Sequence, residues 1–313
     1  MSKNQQLLVT NYFHPETIAL LDEKFTTHHL WQLADKGKRD LIAKLQGKCQ
    51  AVATASWVCD DVIYSLESLD LIACFGVGVD AIDFNKTKEM KVRVTNTPDV
   101  LNDSVADIAI ALILACTRNL VSADKFVRSK KWQAGPLAFG QSIKNKTLGI
   151  AGFGRIGEEI AKRAETFGLK IAYHNRNPKD VPFTYHGSIT ELAAASDILL
   201  CMLPGGEDTR NAIGAQVLKE LGPTGTFINV GRGSRVDEDA LVLALQQRQI
   251  QAAGLDVYAD EPNVPEALLA MDNVVLLPHI GSATVETRRA MGQLVIDNLE
   301  AFFADKPLLT EVV

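Results

Sequence analysis

The feature that most constrains the fold is a G-x-G-x-x-G motif, formed by Gly152, Gly154 and Gly157 in the segment AGFGRIG. It directly follows the apolar run TLGIA and opens an amphipathic stretch that includes Ile160. In such a strand–loop–helix unit the first glycine permits a tight turn and the second lets a pyrophosphate approach the backbone. The third lets the helix pack closely on the strand. The motif therefore predicts a dinucleotide-binding site at the N-terminus of a helix.

Apolar runs typical of strands alternate with helical patterns on both sides of this motif. In the second half of the chain we predict six strands, at residues 147–151, 170–174, 197–203, 225–230, 252–257 and 273–277. Six strands match a complete dinucleotide-binding fold made of two mononucleotide-binding halves. In the first hundred residues we predict four strands, at residues 6–10, 50–54, 70–75 and 92–95. Helical patterns lie between them, for example at 15–24 and 38–45.

The alternation predicts an α/β protein with two Rossmann-like domains, each a doubly wound parallel sheet, and a cleft between them. The amphipathic residues 286–305 follow the sixth strand, so we expect them to return and complete the first domain. That gives a discontinuous, flavodoxin-like substrate-binding domain of residues 1–97 plus 289–313 and a cofactor-binding Rossmann domain of residues 98–288. The nearly all-apolar helix at 104–118, with residues 119–145, also predicts a homodimer contact through the cofactor domain.

Composition narrows the classes of partner. With 32 Lys and Arg against 38 Asp and Glu, the net charge is -6, so the chain has no bulk attraction to nucleic acid or anionic membranes. The longest apolar stretch, residues 108–116, is too short to span a bilayer. The 5 cysteines are odd in number and lack a C-x-x-C pair, so neither a disulfide framework nor a metal site is predicted. We expect a cytoplasmic protein that acts on small molecules.

The residues after the second strand of the cofactor domain indicate which nicotinamide cofactor binds. NAD sites usually place an acidic residue there, about 20 residues after the glycine motif, to bind the ribose 2′-hydroxyl. Here the run KIAYH is followed by Asn175 and Arg176, with no acid up to Lys179. An arginine at this place suits a 2′-phosphate, so we predict NADP(H) in preference to NAD(H). Arg155, inside the glycine loop, is a second candidate for the same role.

Three residues beyond predicted strands carry the predicted chemistry: Arg232, Glu261 and His279. Ligands bind at the carboxyl ends of parallel strands, where these side chains would lie. Arginine can hold a carboxylate by paired, charge-assisted hydrogen bonds and polarise the neighbouring carbonyl. Histidine can protonate the carbonyl oxygen as a hydride reaches the carbon, and a carboxylate behind it orients the ring and favours its protonated form. The set suits reduction of a 2-keto acid and requires no metal.

Several segments together resemble one family, the D-isomer-specific 2-hydroxyacid dehydrogenases. The segments are FGVGVDAID at 75–83, TNTPDVLNDSVAD at 95–107, AGFGRIG at 151–157, NVGRG at 229–233, GLDVYADEP at 254–262 and LPHIGSAT at 277–284. Within the family the chain looks most like glyoxylate/hydroxypyruvate and hydroxyphenylpyruvate reductases. The resemblance implies that Arg232 binds the carboxylate and acts as electrophile, that Glu261 orients the ring, and that His279 donates the proton. It also implies that the backbone N–H groups of Val77 and Gly78 bind the substrate carboxylate.

The remaining site predictions complete this assignment. Trp57, Leu137 and Phe139 are predicted to line an apolar wall for the substrate. The absence of an acid before Arg176 departs from NAD-dependent members and is similar to the NADP-preferring branch. The full set of predicted cofactor-binding residues is Gly152, Gly154, Arg155, Ile156, Gly157, Asn175, Arg176, Leu203, Thr209, Val230, Asp256 and Gly281.

The predicted function is NADPH-dependent reduction of glyoxylate or hydroxypyruvate to a D-2-hydroxy acid. Phenylpyruvates or 2-ketogluconate are alternative substrates, because specificity depends on pocket shape. Phosphoglycerate would call for extra basic residues, and residues 56–60 supply none. A non-enzymatic alternative also exists, since the carboxyl-terminal-binding co-repressors resemble the same family. The chain shows neither a basic patch nor a partner-binding extension, which favours an enzyme.

Overall fold

The computed structural model describes residues 4–55 and 59–312, so Trp57 lies outside the described residues. The chain forms two compact units, which we call unit 1 (Met1–Leu101 with Thr284–Val313) and unit 2 (Asn102–Ala283). The sequence placed the divisions at 97/98 and 288/289. The observed divisions coincide with the starts of two helices, since one helix begins at Asn102 and another is capped by Thr284.

Unit 1 is a five-stranded parallel sheet in the order β2-β1-β3-β4-β5. Its strands are β1 (Gln6–Val9), β2 (Thr26–His29), β3 (Cys49–Ala55), β4 (Leu71–Phe75) and β5 (Arg93–Thr95). Its helices are α1 (Pro15–Lys24), α2 (Asp35–Leu45), α3 (Phe84–Met90) and α11 (Val285–Phe303). Strand β2 was not predicted, because its residues TTHH are polar and lie at the edge of the sheet, where a strand need not be apolar.

The return helix α11 packs within unit 1 against α1 and β4. The rings of Phe25 and Phe303 lie 5.7 Å apart, and Lys24 forms an ion pair with Glu300 at 2.6 Å. Beyond α11, the fully buried Asn298 accepts hydrogen bonds from the backbone of the following tail and holds it against the unit. Unit 1 is therefore built from two separate stretches of the chain.

Unit 2 is a seven-stranded parallel sheet in the order β12-β11-β10-β9-β6-β7-β8. Its strands are β6 (Thr147–Ala151), β7 (Lys170–His174), β8 (Thr184–Tyr185), β9 (Ile198–Cys201), β10 (Thr226–Asn229), β11 (Ala252–Leu255) and β12 (Val274–Leu276). Its helices are α4 (Asn102–Thr117), α5 (Leu120–Arg128), α6 (Arg155–Thr166), α7 (Ile189–Ala194), α8 (Ala215–Leu221), α9 (Glu238–Gln246) and α10 (Glu266–Leu269). The prediction of six strands was wrong by one, because the two-residue edge strand β8 is too short to give an apolar pattern.

The order of unit 2 reverses between β6 and β9, which lie side by side and begin the two halves of the sheet. Ligands of open parallel sheets bind outside the carboxyl ends of the strands at such a switch point. The glycine motif lies here, immediately after β6. The α/β class predicted from the sequence, with two parallel sheets and flanking helices, is confirmed.

The apolar helix α4 packs inside unit 2, against α6 and strands β10 to β12. Arg163 ties α6 to α4 through Asp103 at 2.7 Å and Asp107 at 2.8 Å. Much of the apolar surface of α4 is therefore covered within its own unit, and the dimer contact expected for this helix and residues 119–145 stays a prediction. Among the described residues no single helix is long and apolar enough to cross a membrane, although α4 and α5, bent by 60°, pass that test of length and composition as a pair.

Candidate active site

Three neighbouring strands end at the same level, and this brings the predicted catalytic residues together. In the parallel ladder Asn229 of β10 lies beside Leu255 of β11, and Leu255 lies beside Leu276 of β12. The loops that leave these strands therefore start side by side at one edge of the sheet. Arg232 lies in the first loop, Glu261 in the second and His279 in the third.

His279 and Glu261 form a hydrogen-bonded pair. The ring nitrogen Nδ1 of His279 donates to Glu261 Oε2 at 2.6 Å, and the backbone N–H of Tyr258 donates to Glu261 Oε1 at 3.0 Å. Burial disfavours the charged carboxylate, but these hydrogen bonds and the charges of His279 and Arg232 lower the pKa of Glu261 below its ordinary value. Glu261 therefore fixes the ring through Nδ1, and Nε2 is the nitrogen left to act on a ligand.

Asp256 holds the loop that carries His279. Its carboxylate is almost fully buried and accepts hydrogen bonds from the backbone N–H groups of Ile280 and Gly281, each at 2.7 Å. His279 itself has φ = 53°, in the left-handed region that a side chain other than glycine rarely adopts. Burial raises the pKa of Asp256, against the opposing effect of the two N–H donors and the charge of His279. The two hydrogen bonds are thus what fixes the backbone directly after the strained histidine.

The turn that presents Arg232 packs tightly on its neighbours. Asn229 donates from its side-chain amide to the carbonyl of Arg232 at 3.1 Å and accepts from Gly231 N at 3.1 Å. A Cβ atom on Gly233 would lie 1.8 Å from the backbone of Tyr258, so only glycine allows this approach. The Arg232 guanidinium donates to the carbonyl of Gly231 at 2.8 Å, and its positive charge helps to lower the pKa of Glu261. The structure therefore brings Arg232, Glu261 and His279 to one edge of unit 2.

The glycine loop has the form that a dinucleotide requires. Gly152 has φ = 96°, and a Cβ atom there would lie 2.5 Å from the carbonyl oxygen of Met202. A Cβ atom on Gly154 would meet nothing within 4 Å, so this face of the loop is open where a pyrophosphate would approach. Gly157 lies close under the loop, since its Cβ would be 3.2 Å from the carbonyl oxygen of Gly152. The open face and the exposed N-terminus of α6 fit the phosphates of a nicotinamide dinucleotide.

The residues after β7 divide into two roles. The amide of Asn175 accepts from Phe153 N at 2.6 Å and donates to Phe153 O at 3.0 Å, so it braces the glycine loop. Arg176 is exposed at the end of the same strand, and Arg155 is exposed at the first position of α6. Lys179 lies over the Phe153 ring at 5.8 Å. Three cations therefore follow or flank the glycine loop, where the sequence analysis expected a 2′-phosphate.

The other predicted cofactor residues lie in loops that touch one another. The Cβ of a substituted Gly152 would be 2.8 Å from the backbone nitrogen of Leu203, so the glycine loop packs directly on the loop after β9. In that loop Thr209 donates to the carbonyl of Pro204 at 2.8 Å. Leu203 and Val230 are buried at the strand ends, and Ile156 is half-buried in the first turn of α6.

The predicted carboxylate-binding loop lies in unit 1, directly after β4. Its glycine Gly76 has φ = 139° and donates to Thr97 Oγ1 at 2.9 Å, while the Asn96 amide donates to the carbonyl of Val77 at 2.7 Å. Among the described residues no acceptor is found for the N–H groups of Val77 and Gly78. Two fixed and unpaired donors of this kind suit an anion.

Three residues were predicted to line an apolar wall for the substrate, and of these Leu137 is half-buried. Trp57 lies outside the described residues. Phe139 is fully exposed in the single chain, at 101%, so its place in a substrate wall stays a prediction. An apolar cavity of about 250 Å³ adjoins the catalytic pair. It is lined by Tyr258, Glu261, Pro262, Val264, Leu269, Leu276, Leu277, Pro278 and His279.

One residue of the site escaped the sequence analysis. Arg235 lies two residues from Gly233 in a segment that reads as a polar loop, GRGSRVDED. In the structure it is only 5% exposed and donates to the loop after β9. The sequence offers no signal of this burial, because an arginine in a loop is usually solvated.

Comparisons with known proteins agree with this geometry. The sequence profile of the "D-isomer specific 2-hydroxyacid dehydrogenase, NAD binding domain" matches residues 110–281. The chain is 46% identical over 299 residues to glyoxylate/hydroxypyruvate reductase A of Arabidopsis thaliana, covering 94% of both chains. It is also 46% identical over 296 residues to the hydroxyphenylpyruvate reductase of Plectranthus scutellarioides, again covering 94% of both.

A solved structure agrees over nearly the whole chain. It is the NADPH-dependent glyoxylate/hydroxypyruvate reductase of Sinorhizobium meliloti in complex with NADP and malonate, with a TM-score of 0.93 and 42% identity. The match covers 99% of this chain and 97% of that one. The fold and the site thus define a nicotinamide-dinucleotide oxidoreductase. The chain belongs to the D-isomer-specific 2-hydroxyacid dehydrogenases, and the family assigned from the sequence is confirmed.

Proposed function

We propose that the protein reduces small 2-keto acids, glyoxylate and hydroxypyruvate, to D-2-hydroxy acids with NADPH. The observation that carries the proposal is the hydrogen bond of 2.6 Å between His279 and Glu261, beside Arg232 and in the same unit as the glycine loop. A histidine fixed through Nδ1 by a carboxylate can hold a proton on Nε2 and release it to a developing alkoxide. Relatives with 46% and 42% identity that carry this activity in their names support the substrate class.

Each residue has a distinct part in the reaction. Arg232 binds the carboxylate of the keto acid and polarises its carbonyl, and the N–H groups of Val77 and Gly78 are further donors for the carboxylate. His279 protonates the carbonyl oxygen, and Glu261 keeps the ring oriented. The glycine loop, α6 and the loop after β9 hold the dinucleotide, which supplies the hydride when bound. The carbonyl carbon gains the hydride and the oxygen gains the proton of His279, which balances the reduction.

We further propose that NADPH is preferred over NADH. The support is the absence of an acid at the end of β7 and the presence there of the exposed Arg176, with Arg155 and Lys179 close to the same loop. A 2′-phosphate would gain charge-assisted hydrogen bonds from such cations, whereas a 2′-hydroxyl would gain little.

The experiment that tests the function is a matrix of initial rates. Glyoxylate, hydroxypyruvate, phenylpyruvate and 2-ketogluconate are each assayed with NADPH and with NADH. We expect the highest kcat/KM for glyoxylate or hydroxypyruvate with NADPH. A protein that reduced none of the four with either cofactor would refute the proposal.

A second candidate substrate class is the phenylpyruvates. It is favoured by the apolar cavity beside His279 and by the 46% identity to a hydroxyphenylpyruvate reductase. If kcat/KM for phenylpyruvate exceeds that for hydroxypyruvate, this candidate replaces the first. Leu269→Glu, which puts a charge on the cavity wall, should then lower only the rate with the aromatic substrate.

We propose that the protein works as a homodimer formed by unit 2. Helix α5 has no buried residue, and residues 120–139 expose several large apolar side chains, which a second copy would cover. They are Leu120, Val121, Val127, Trp132 and Phe139. Sedimentation at micromolar concentration should show a dimer, and Val127→Glu with Trp132→Glu should give a monomer. A wild-type monomer would refute the proposed dimer.

The 5 free cysteines fit a reducing compartment such as the cytoplasm.

A further inference from the structure

Arg235 is a buried cation without an acidic partner among residues 4–55 and 59–312. Its guanidinium donates to the carbonyl of Gly206, to Thr209 Oγ1 at 2.5 Å and to Ser234 Oγ at 2.8 Å. Its Nε is buried and has no hydrogen-bond partner within those residues. All three acceptors are neutral. Removing a charge from water without a counter-ion is costly, so packing alone does not account for an arginine here.

Two of the three acceptors of Arg235, Gly206 O and Thr209 Oγ1, belong to the loop that follows β9, at the switch point of the sheet. The end of the same loop pairs with the backbone around Arg235, since Asn211 N donates to Ser234 O at 3.0 Å and Ile213 N donates to Arg235 O at 2.9 Å. The side chain therefore holds the start of the loop while its backbone holds the end. The side chain and the backbone of Arg235 thus contact two parts of this loop, on which the glycine loop packs.

The charge of Arg235 also reaches the end of β9. Burial raises the pKa of the Cys201 thiol to about 11, and the charge of Arg235 acts in the opposite direction. A positive charge close to the carboxyl end of β9 would attract anions that bind beyond this strand end. The anions expected there are the phosphates of the dinucleotide, because the switch point and the open face of Gly154 lie at the same edge.

We propose that Arg235 is a positioning residue of the cofactor site, which holds the loop of Gly206 and Thr209 in its binding conformation and whose buried charge the cofactor phosphates neutralise. The proposal rests on the proposed function in that a dinucleotide binds at this edge. Unlike Arg176, Arg235 acts on a part of the site that NADPH and NADH share. Its loss should therefore weaken both cofactors alike.

The test measures cofactor binding and thermal unfolding of the full chain. Dissociation constants for NADPH and NADH are determined by calorimetry for wild type, Arg235→Met and Arg235→Lys. We expect Arg235→Met to raise both constants about 10-fold or more, as for the loss of hydrogen bonds from a charged group. Arg235→Lys keeps the charge but loses the fork of donors, so its effect should be smaller.

Thermal unfolding separates this role from a merely structural one. Methionine removes an uncompensated buried charge, so the Tm of the cofactor-free Arg235→Met protein should equal or exceed that of wild type. The increase in Tm on adding NADPH should shrink. Arg210→Met is the matched control, since it removes an exposed cation one residue from Thr209 and should leave both measurements unchanged.

The outcomes are distinct. Unchanged dissociation constants in Arg235→Met would overturn this proposal alone, as would a cofactor-free Tm that falls enough to explain the weaker binding. If Arg235→Met fails to fold, Thr209→Val removes one acceptor of the guanidinium and should raise both constants several-fold; no rise would overturn the proposal. A wild-type protein that binds neither cofactor would overturn the proposed function, and this proposal with it.

Discussion

Replacing Asp256 by asparagine tests how the backbone after His279 is held. The carboxylate accepts one hydrogen bond on each oxygen, from Ile280 N and Gly281 N at 2.7 Å. Asparagine has one acceptor oxygen, and its NH₂ group would face the other N–H donor. The loop would then lose one of the two bonds that fix it. The variant should lower kcat while leaving the affinity for glyoxylate or hydroxypyruvate less affected.

The size of the effect follows from the backbone of His279. A left-handed conformation in a residue with a Cβ costs about 1–2 kcal/mol, and the flanking hydrogen bonds oppose its relaxation. If one hydrogen bond is lost, the backbone of His279 can relax to a less strained conformation that moves the ring out of position. The fraction of molecules with the ring in position then falls by a factor of about 5–30. We therefore expect kcat to fall about 5- to 30-fold. The orphaned donor costs about 1–3 kcal/mol of stability, partly offset because asparagine carries no buried charge.

The pH dependence of stability gives an independent check. Because burial raises the pKa of Asp256, the folded protein binds a proton at this site more readily than the unfolded chain does. The carboxyl group therefore favours folding most below its unfolded pKa of about 3.9, and this contribution is lost as the pH rises through the folded pKa. The stability deficit of Asp256→Asn, measured by urea unfolding, should shrink as the pH rises above about 4.

The assay is steady-state reduction of hydroxypyruvate with NADPH, with urea unfolding on the same preparations. Asp237→Asn is the matched control, because the Asp237 side chain caps α9 by accepting one hydrogen bond from Ala240 N, and asparagine caps equally well. It should change neither kcat nor stability appreciably. If Asp256→Asn kept kcat within twofold of wild type while losing the expected stability, the hydrogen bonds would not be what positions His279.

Four further variants test the site. His279→Ala should lower kcat by about 10²–10⁴-fold with an unchanged dissociation constant for NADPH, and near-normal turnover would remove it as the acid. Glu261→Gln loses a carboxylate whose lowered pKa keeps it charged at neutral pH, so the alkaline fall in the reduction rate should move to lower pH; an unmoved profile would contradict this. Arg176→Ala should raise KM for NADPH about 10-fold or more and leave that for NADH nearly unchanged, whereas equal effects would show that it does not bind the 2′-phosphate. Gly152→Ala would place Cβ 2.5 Å from a backbone oxygen, so cofactor affinity and Tm should both fall, and retention of both would refute the tight turn.

The interior strands were predictable because an interior strand of a parallel sheet is buried on both faces and must be apolar. The runs at 147–151 and 170–174 coincide with β6 and β7. The edge strands β2 and β8 were not predicted. One side of an edge strand has no neighbouring strand, so its residues need not be apolar. An apolar helix pattern does not say which neighbour covers the helix, and much of the surface of α4 is covered within its own unit.

The chemistry of the site was also present in the sequence, but its geometry was not. Residue types and their places after strands indicated an arginine, an acid and a histidine for a keto acid. That Glu261 meets His279 across 18 positions was decided by the register of β10 to β12, which aligns three strand ends. The left-handed backbone of His279 and its fixation by Asp256 likewise arise only when the two loops meet.

Arg235 shows the same division most clearly. The sequence by itself determined the alternation of strands and helices, the glycine turn and the chemical types at the strand ends, because each depends on residues close together in the chain. Only the tertiary structure decided which loop side chains are buried and which groups face them. Burial is set by contacts between segments far apart in sequence, so an arginine that reads as a solvated loop residue becomes the buried cation beneath the loop after β9.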